Sequence, residues 1–191
     1  APEHIKRYLS KAIELDLAID YLLTNYKEID NTVLAFFSDH HPLNMPLKYL
    51  DAYSSKERSN FRGYDNTPFI IYSHDQTPEI VDTPASTIDI LPTIANLFDF
   101  EHDPRLFLGT DIYSDDENII IFQEGSWIDA NGMFSVRQSK YIPFNENKTL
   151  QNEEIDKKNT LVRQKLSISS QLYQSKYFKN RPLLQDRFNP N

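Results

Sequence analysis

An almost unbroken apolar run, Thr32-Val-Leu-Ala-Phe-Phe-Ser38, ends abruptly at Asp39-His40-His41-Pro42 and constrains this chain more than any other feature. A run so rich in strand formers, with hardly a polar position, reads as a buried strand of the parallel type. Glu3 to Tyr26, just before it, reads as one amphipathic helix. Ile5, Leu9, Ala12, Ile19, Leu23 and Tyr26 fall on a single face at steps of three, four or seven. Asp16 shares that face, where a carboxylate is expected to be a buried hydrogen-bonding partner fixing helix against strand. Lys27 to Asn31 is a polar break between the two elements. A helix followed by a buried strand with polar residues at its carboxyl end is an α/β arrangement, and ligands in open α/β sheets bind at those carboxyl ends.

Further along, residues 43–66 are polar and irregular, long enough for a functional or mobile excursion. Thr67-Pro68 opens a second buried strand, Phe69 to Tyr72. Ser86-Thr87 precedes a helix from Ile88 to Phe98, with Asp89 and Pro92 in its first turn, where acid and proline are favoured. Asn118 to Phe122 reads as a third buried strand, and Met133 to Phe144 as a hairpin or short meander. Ile155 to Phe178 is expected to be a terminal helix packing through Leu161, Leu166, Ile168 and Leu172. Residues 1–180 read as one domain without a repeat or linker, and 181–191, with two prolines, as a fraying tail.

Composition excludes several functions. The net charge is -8, from 28 acidic and 20 basic residues, and the densest basic stretch is only Lys157-Lys158. Nucleic acid is therefore not an expected partner, since phosphate neutralisation needs clustered Lys and Arg. The absence of cysteine excludes disulfides, Cys-ligated zinc and a thiol nucleophile within these residues. No apolar run approaches the roughly 20 residues of a membrane-spanning helix. The chain opens without methionine, already on the approach to a helix, which points to a piece of a longer protein.

The chemistry centres on Asp39 and His40. A carboxylate oxygen and an imidazole nitrogen where a strand ends can converge on one divalent cation; carboxylate suits Mg, Mn and Ca, and imidazole moves the preference toward Mn or Zn. Taken alone, the dipeptide fits a turn-capping Asp beside an exposed His better than it fits a metal site. Its surroundings say more. Tyr8, Ala12, Asp16 and Ile19, then Asp30-Asn31-Thr32-Val33, then Phe37-Ser38-Asp39-His40, resemble the sulfatase and alkaline-phosphatase superfamily. Ile88-Asp89-Ile90-Leu91-Pro92-Thr93-Ile94 resembles a second block of that family. Leu108-Gly109-Thr110-Asp111-Ile112-Tyr113-Ser114 and Phe122-Gln123-Glu124-Gly125-Ser126-Trp127-Ile128 are similar to the C-terminal part of the lipoteichoic-acid-synthase-like branch.

The resemblance implies the C-terminal part of an alkaline-phosphatase-like α/β/α sandwich, with a small β-rich subregion and a terminal helix. It implies that Asp39 and His40 are two ligands of a catalytic Mn or Mg ion. The threonine nucleophile and the remaining acidic ligand would lie upstream of Ala1. A parent of this kind would move phosphoglycerol from a phospholipid through a phospho-threonine, on the extracellular face of the cell membrane, anchored by transmembrane helices outside these residues. This piece alone would then be inactive. A sulfatase or phosphatase of the same superfamily, or a non-catalytic domain that kept the fold, stays open as an alternative. His41 departs from the family pattern, and it reads equally as a substrate contact or as an exposed loop histidine. Asp89 is expected to stabilise a helix start, His74 and His102 to lie at the surface without a ligand partner, and Trp127, Phe122 and Phe134 to be core. Glu124 is a possible substrate-side carboxylate.

Overall fold

A computed structural model of the chain describes residues 2–40, 46, 49, 52 and 67–180. His41, nearly all of the excursion at 43–66 and the tail at 181–191 thus lie outside the described residues. The fold is α/β, and the chain divides into two compact units, Ala1–Ile80 and Val81–Asn191.

In the first unit, helix α1 runs Glu3–Asn25, with Glu3 in its first turn, where the helix dipole favours a carboxylate. It ends where Tyr26 turns extended, and a 3-10 turn at Ile29–Asn31 leads into strand β1, Leu34–Phe37. Strand β2, Phe69–Tyr72, pairs with β1 antiparallel, Leu34 opposite Tyr72 and Phe37 opposite Phe69. The parallel partner expected from the sequence is not found among the described residues, and burial is only partial. Leu34 and Phe36 are half-buried while Ala35 and Phe37 are exposed. A two-stranded ribbon has too little surface to bury both faces. The run's apolarity therefore calls for cover that the described residues do not supply.

The same holds for α1. Ile5 is its one buried residue, while Tyr8, Leu9, Ile13, Leu15, Leu17 and Tyr21 are exposed around its circumference. Asp16, expected to be buried, is exposed, because the face it shares with Leu9 and Ala12 is uncovered. A helix apolar on several sides is the kind that sits inside a larger body.

In the second unit a 3-10 turn, Thr87–Asp89, runs into helix α2, Ile90–Leu97, and a further 3-10 turn spans Pro104–Leu106. Strands β3 (Ile120–Ile121), β4 (Trp127–Ile128), β5 (Gly132–Ser135) and β6 (Lys140–Pro143) form an antiparallel meander in that order. The third strand expected at 118–122 thus shrinks to a short, half-buried edge. The chain reverses at once after it: Gly125 N–H donates to Phe122 O at 2.9 Å, and Gly125 takes φ +93. Only glycine adopts such a turn without strain. The meander expected at 133–144 is present.

Helix α3, Asn152–Gln174, starts with a capping box between Gln151 and Glu154, and a short helix α4, Tyr177–Asn180, follows it. Trp127, Tyr141 and Val162 form the core, with Ile119, Ile121, Phe134, Leu150, Ile155 and Leu166 packed around them. Leu166 and Leu172 are half-buried as expected, but Leu161 and Ile168 are exposed. The inward stripe instead runs through Ile155, Lys158, Asn159, Val162, Lys165 and Leu166. It was hidden because three of those six residues are polar.

Candidate metal site and its scaffold

Asp39 and His40 leave β1 at its carboxyl end, just past the last ladder pair, Phe37 and Phe69. Ser38 Oγ donates to the His40 carbonyl at 2.7 Å, which bends the exit back on itself. Both side chains then meet on one side, Asp39 Oδ1 lying 3.5 Å from His40 Nε2. Both are mainly solvent-accessible, with side-chain exposures of 84% and 58%. The donor set suits a divalent cation: metal–ligand bonds of about 2.1 Å put neighbouring donors about 3.0–3.5 Å apart. The pair offers only two donors, fewer than a divalent cation takes. Among the described residues no three His, Cys, Asp or Glu side chains converge on a common point.

At the other end of the ladder, His74 Nδ1 lies 3.4 Å from Asp30 Oδ1. The sequence suggested no carboxylate partner for His74, since Asp30 is remote along the chain and only the β1–β2 register delivers it. His74 is nevertheless exposed, as expected. His102 is half-buried, its Nδ1 2.7 Å from the Phe100 carbonyl.

In the second unit the structure ties two of the sequence blocks together. Asp89 is buried and acts at a helix start, as expected. One oxygen accepts from Ser86 N–H at 2.7 Å in a capping box, and the other accepts from Thr110 N–H at 2.8 Å. Thr93 Oγ1 donates to the Asp89 carbonyl at 2.6 Å and accepts from Ile112 N–H at 3.2 Å. Asn96 Nδ2 donates to Asp111 Oδ2 at 2.6 Å. Gly109 lies so close to this helix start that a Cβ would come within 2.1 Å of the Ile88 carbonyl oxygen. The spacing of the Ile88–Ile94 and Leu108–Ser114 blocks is therefore a packing requirement. Burial pushes the Asp89 carboxyl above its ordinary range against the opposing hydrogen bonds from Thr110 and Ser86.

The residue that sequence reasoning missed is Asp129, fully buried at the β4–β5 turn. Its Oδ1 accepts from Asn131 N–H, Gly132 N–H and Tyr141 O–H at 2.8–2.9 Å, and its Oδ2 from Lys158 Nζ at 2.6 Å. Burial alone would raise its pKa, but the bonds from Lys158, Asn131 and Tyr141 outweigh that and hold it below the usual range. Lys158 also pairs with Glu117. Trp127 is buried as expected and Phe134 half-buried beside it, while Glu124 is exposed.

A family model described as Sulfatase matches residues 3–100, just over half of the chain. The chain belongs to the sulfatase family. The match takes in α1, Asp39-His40 and α2. The sulfatase-family chain is also 26% identical, over 175 residues, to lipoteichoic acid synthase 1 of Bacillus subtilis (strain 168). That alignment covers 86% of this chain and 27% of the relative, so the chain spans little more than a quarter of that protein's length. No helix among the described residues is long and apolar enough to cross a membrane.

Proposed function

We propose that this chain is part of the catalytic domain of a metal-dependent phosphoglycerol transferase of the lipoteichoic-acid-synthase kind. The observation that carries the reading is the meeting of Asp39 and His40 at the carboxyl end of β1, within the stretch matched by the sulfatase family. Asp39 would supply an anionic oxygen and His40 a neutral imidazole nitrogen to Mn or Mg. A cation bound there would polarise a phosphoryl oxygen and lower the pKa of a hydroxyl nucleophile. The nucleophile in this reading is a threonine upstream of Ala1, and with it comes the rest of the coordination shell. The substrate would be a phospholipid, met at the extracellular face of the cell membrane.

The uncovered apolar faces of α1 and the β1–β2 ribbon support a larger parent domain, because such faces belong against further polypeptide. So does the extent of the relative beyond this chain. We place residues 1–180 in that one domain.

Intact mass measurement on the full-length protein, incubated with a glycerophospholipid and Mn, tests the reading. The expected adduct is one phosphoglycerol on a threonine. Turnover of a sulfate ester with no such adduct would instead make the protein a sulfatase. The 191-residue chain alone is expected to be inactive, and phosphodiesterase turnover by it would contradict the proposed division of the site.

A further inference from the structure

We propose that the corner joining α3 to α4 docks on an anionic lipid surface. Tyr173 and Phe178 are its apolar anchors, and Lys176 and Lys179 its contacts with headgroups. From Lys157 to Gln185 the sequence carries seven Lys and Arg and no Asp or Glu, in a chain whose net charge is -8. Two of those cations, Lys158 and Lys165, turn inward, to Asp129 and to the Leu108 carbonyl. Lys176 and Lys179 do not. Both are exposed, and neither pairs with a carboxylate among the described residues.

The same corner holds two large rings in water. Tyr173 is 86% exposed and Phe178 60%. Tyr177 between them is half-buried and meets Phe178 edge to face at 5.3 Å. Hydrogen bonds fix these positions. Ser175 N–H donates to the Gln171 carbonyl at 2.9 Å and Lys176 N–H to the Tyr173 carbonyl at 3.1 Å, closing α3. Lys176 then takes φ +51, and Asn180 Nδ2 donates to the Ser175 carbonyl at 3.1 Å, tying α4 to the end of α3. A residue with a Cβ is strained in that left-handed region. A strained corner that leaves two rings in water adds nothing to the unit's own core, so its use lies outside the unit.

Composition says what covers it. Lys is depleted in the cores of protein–protein interfaces. A lipid headgroup layer instead takes aromatic rings and Lys side by side, rings at the acyl boundary and ammonium groups on phosphate. An anionic surface repels the acidic remainder of the chain, so attraction confined to this corner also orients the unit. Arg105, near Tyr177, adds a cation that Asp103 offsets at 2.7 Å. Beyond α4 the sequence keeps the same character, with Arg181, Leu183, Leu184, Arg187 and Phe188 against Asp186 alone.

Co-sedimentation of the 191-residue chain with vesicles tests this. Vesicles of phosphatidylglycerol and phosphatidylcholine in equal parts are expected to bind it at least tenfold more tightly than phosphatidylcholine alone. Each basic side chain at such a surface contributes roughly a fivefold factor. Lys176→Gln with Lys179→Gln should therefore weaken binding at least tenfold, and Phe178→Ser should weaken it several-fold. Lys6→Gln with Lys11→Gln, which removes two cations of α1, should leave it unchanged. All four lysines are exposed, so these substitutions leave packing intact. Equal binding to the two vesicles, no binding to either, or the same loss from both lysine pairs would overturn the proposal. No metal enters the measurement, so its failure leaves the transferase reading standing.

Discussion

Replacing Gly109 by alanine should be among the most damaging single-methyl changes in the second unit. The added Cβ would lie 2.1 Å from the Ile88 oxygen, 2.4 Å from the Ile88 carbonyl carbon and 2.8 Å from Asp89 N. All three are backbone atoms, so no rotamer change relieves the overlap. The 108–112 segment must move outward by about 1 Å to restore ordinary contact, an overpacking that costs about 1–3 kcal/mol. That shift stretches the Thr110 N–H bond to Asp89, now 2.8 Å, and leaving a buried carboxylate short of a donor adds about 1–3 kcal/mol. Gly109 has no positive φ. Alanine there therefore recovers only the usual about 0.4–1 kcal/mol from a stiffer unfolded chain.

The net expectation is a loss of about 2–4 kcal/mol. The assay is urea unfolding of the 191-residue chain followed by fluorescence of Trp127, the single tryptophan, which lies in this unit. Gly125→Ala is the control. Its Cβ would meet nothing closer than Val136 Cγ2 at 3.5 Å, so it carries only the strain of its positive φ, about 1–2 kcal/mol. If Gly109→Ala unfolds within about 0.5 kcal/mol of the parent chain, the packing account of the two blocks is wrong.

Three further outcomes are expected. Asp89→Ala removes both the cap on the helix start and the acceptor of the buried Thr110 N–H, and should cost about 2–4 kcal/mol in the same urea assay. Lys158 is held above its ordinary 10.5 by the bonds to Asp129 and Glu117, which outweigh its burial, so its contribution to stability is full below 10.5 and is lost as pH rises through the higher folded value. Lys158→Gln should accordingly make that alkaline limb shallower, as read by urea midpoints from about pH 8 to about pH 11.5, with burial of the Tyr141 hydroxyl beside Asp129 supplying what remains. Asp129 is held below 3.8, so its contribution is present above that pH and is lost as pH falls through the lower folded value. Asp129→Asn should flatten the acid limb while lowering stability at neutral pH.

Much of this architecture was legible because it depends on local chemistry. The helix from Glu3, the strand before Asp39, the helix start at Asp89 and the meander near 133–144 all follow from periodicity, capping and alternation. What could not be read was decided by distant partners. Asp16 looked buried because its helix face is apolar, yet burial depends on what covers that face. The inward stripe of α3 was invisible because Lys158, Asn159 and Lys165 are polar, and polar positions read as solvent-facing until their partners are known. Asp129 carries no sequence signal, since a carboxylate beside Asn and Gly reads as an ordinary turn. His74 found Asp30 only through the antiparallel register. In the candidate site, Asp39 and His40 were legible as a pair, and the structure adds the Ser38 bond that turns them together.

The central claim is that Asp39 and His40 hold a divalent cation. Calorimetric titration of Mn into the full-length protein, compared with its Asp39→Ala and His40→Ala variants, tests it most directly. The account predicts one high-affinity site in the unmodified protein, weakened at least tenfold by either substitution, with the fold unchanged by circular dichroism. Mn binding that is equally tight in both variants would contradict it.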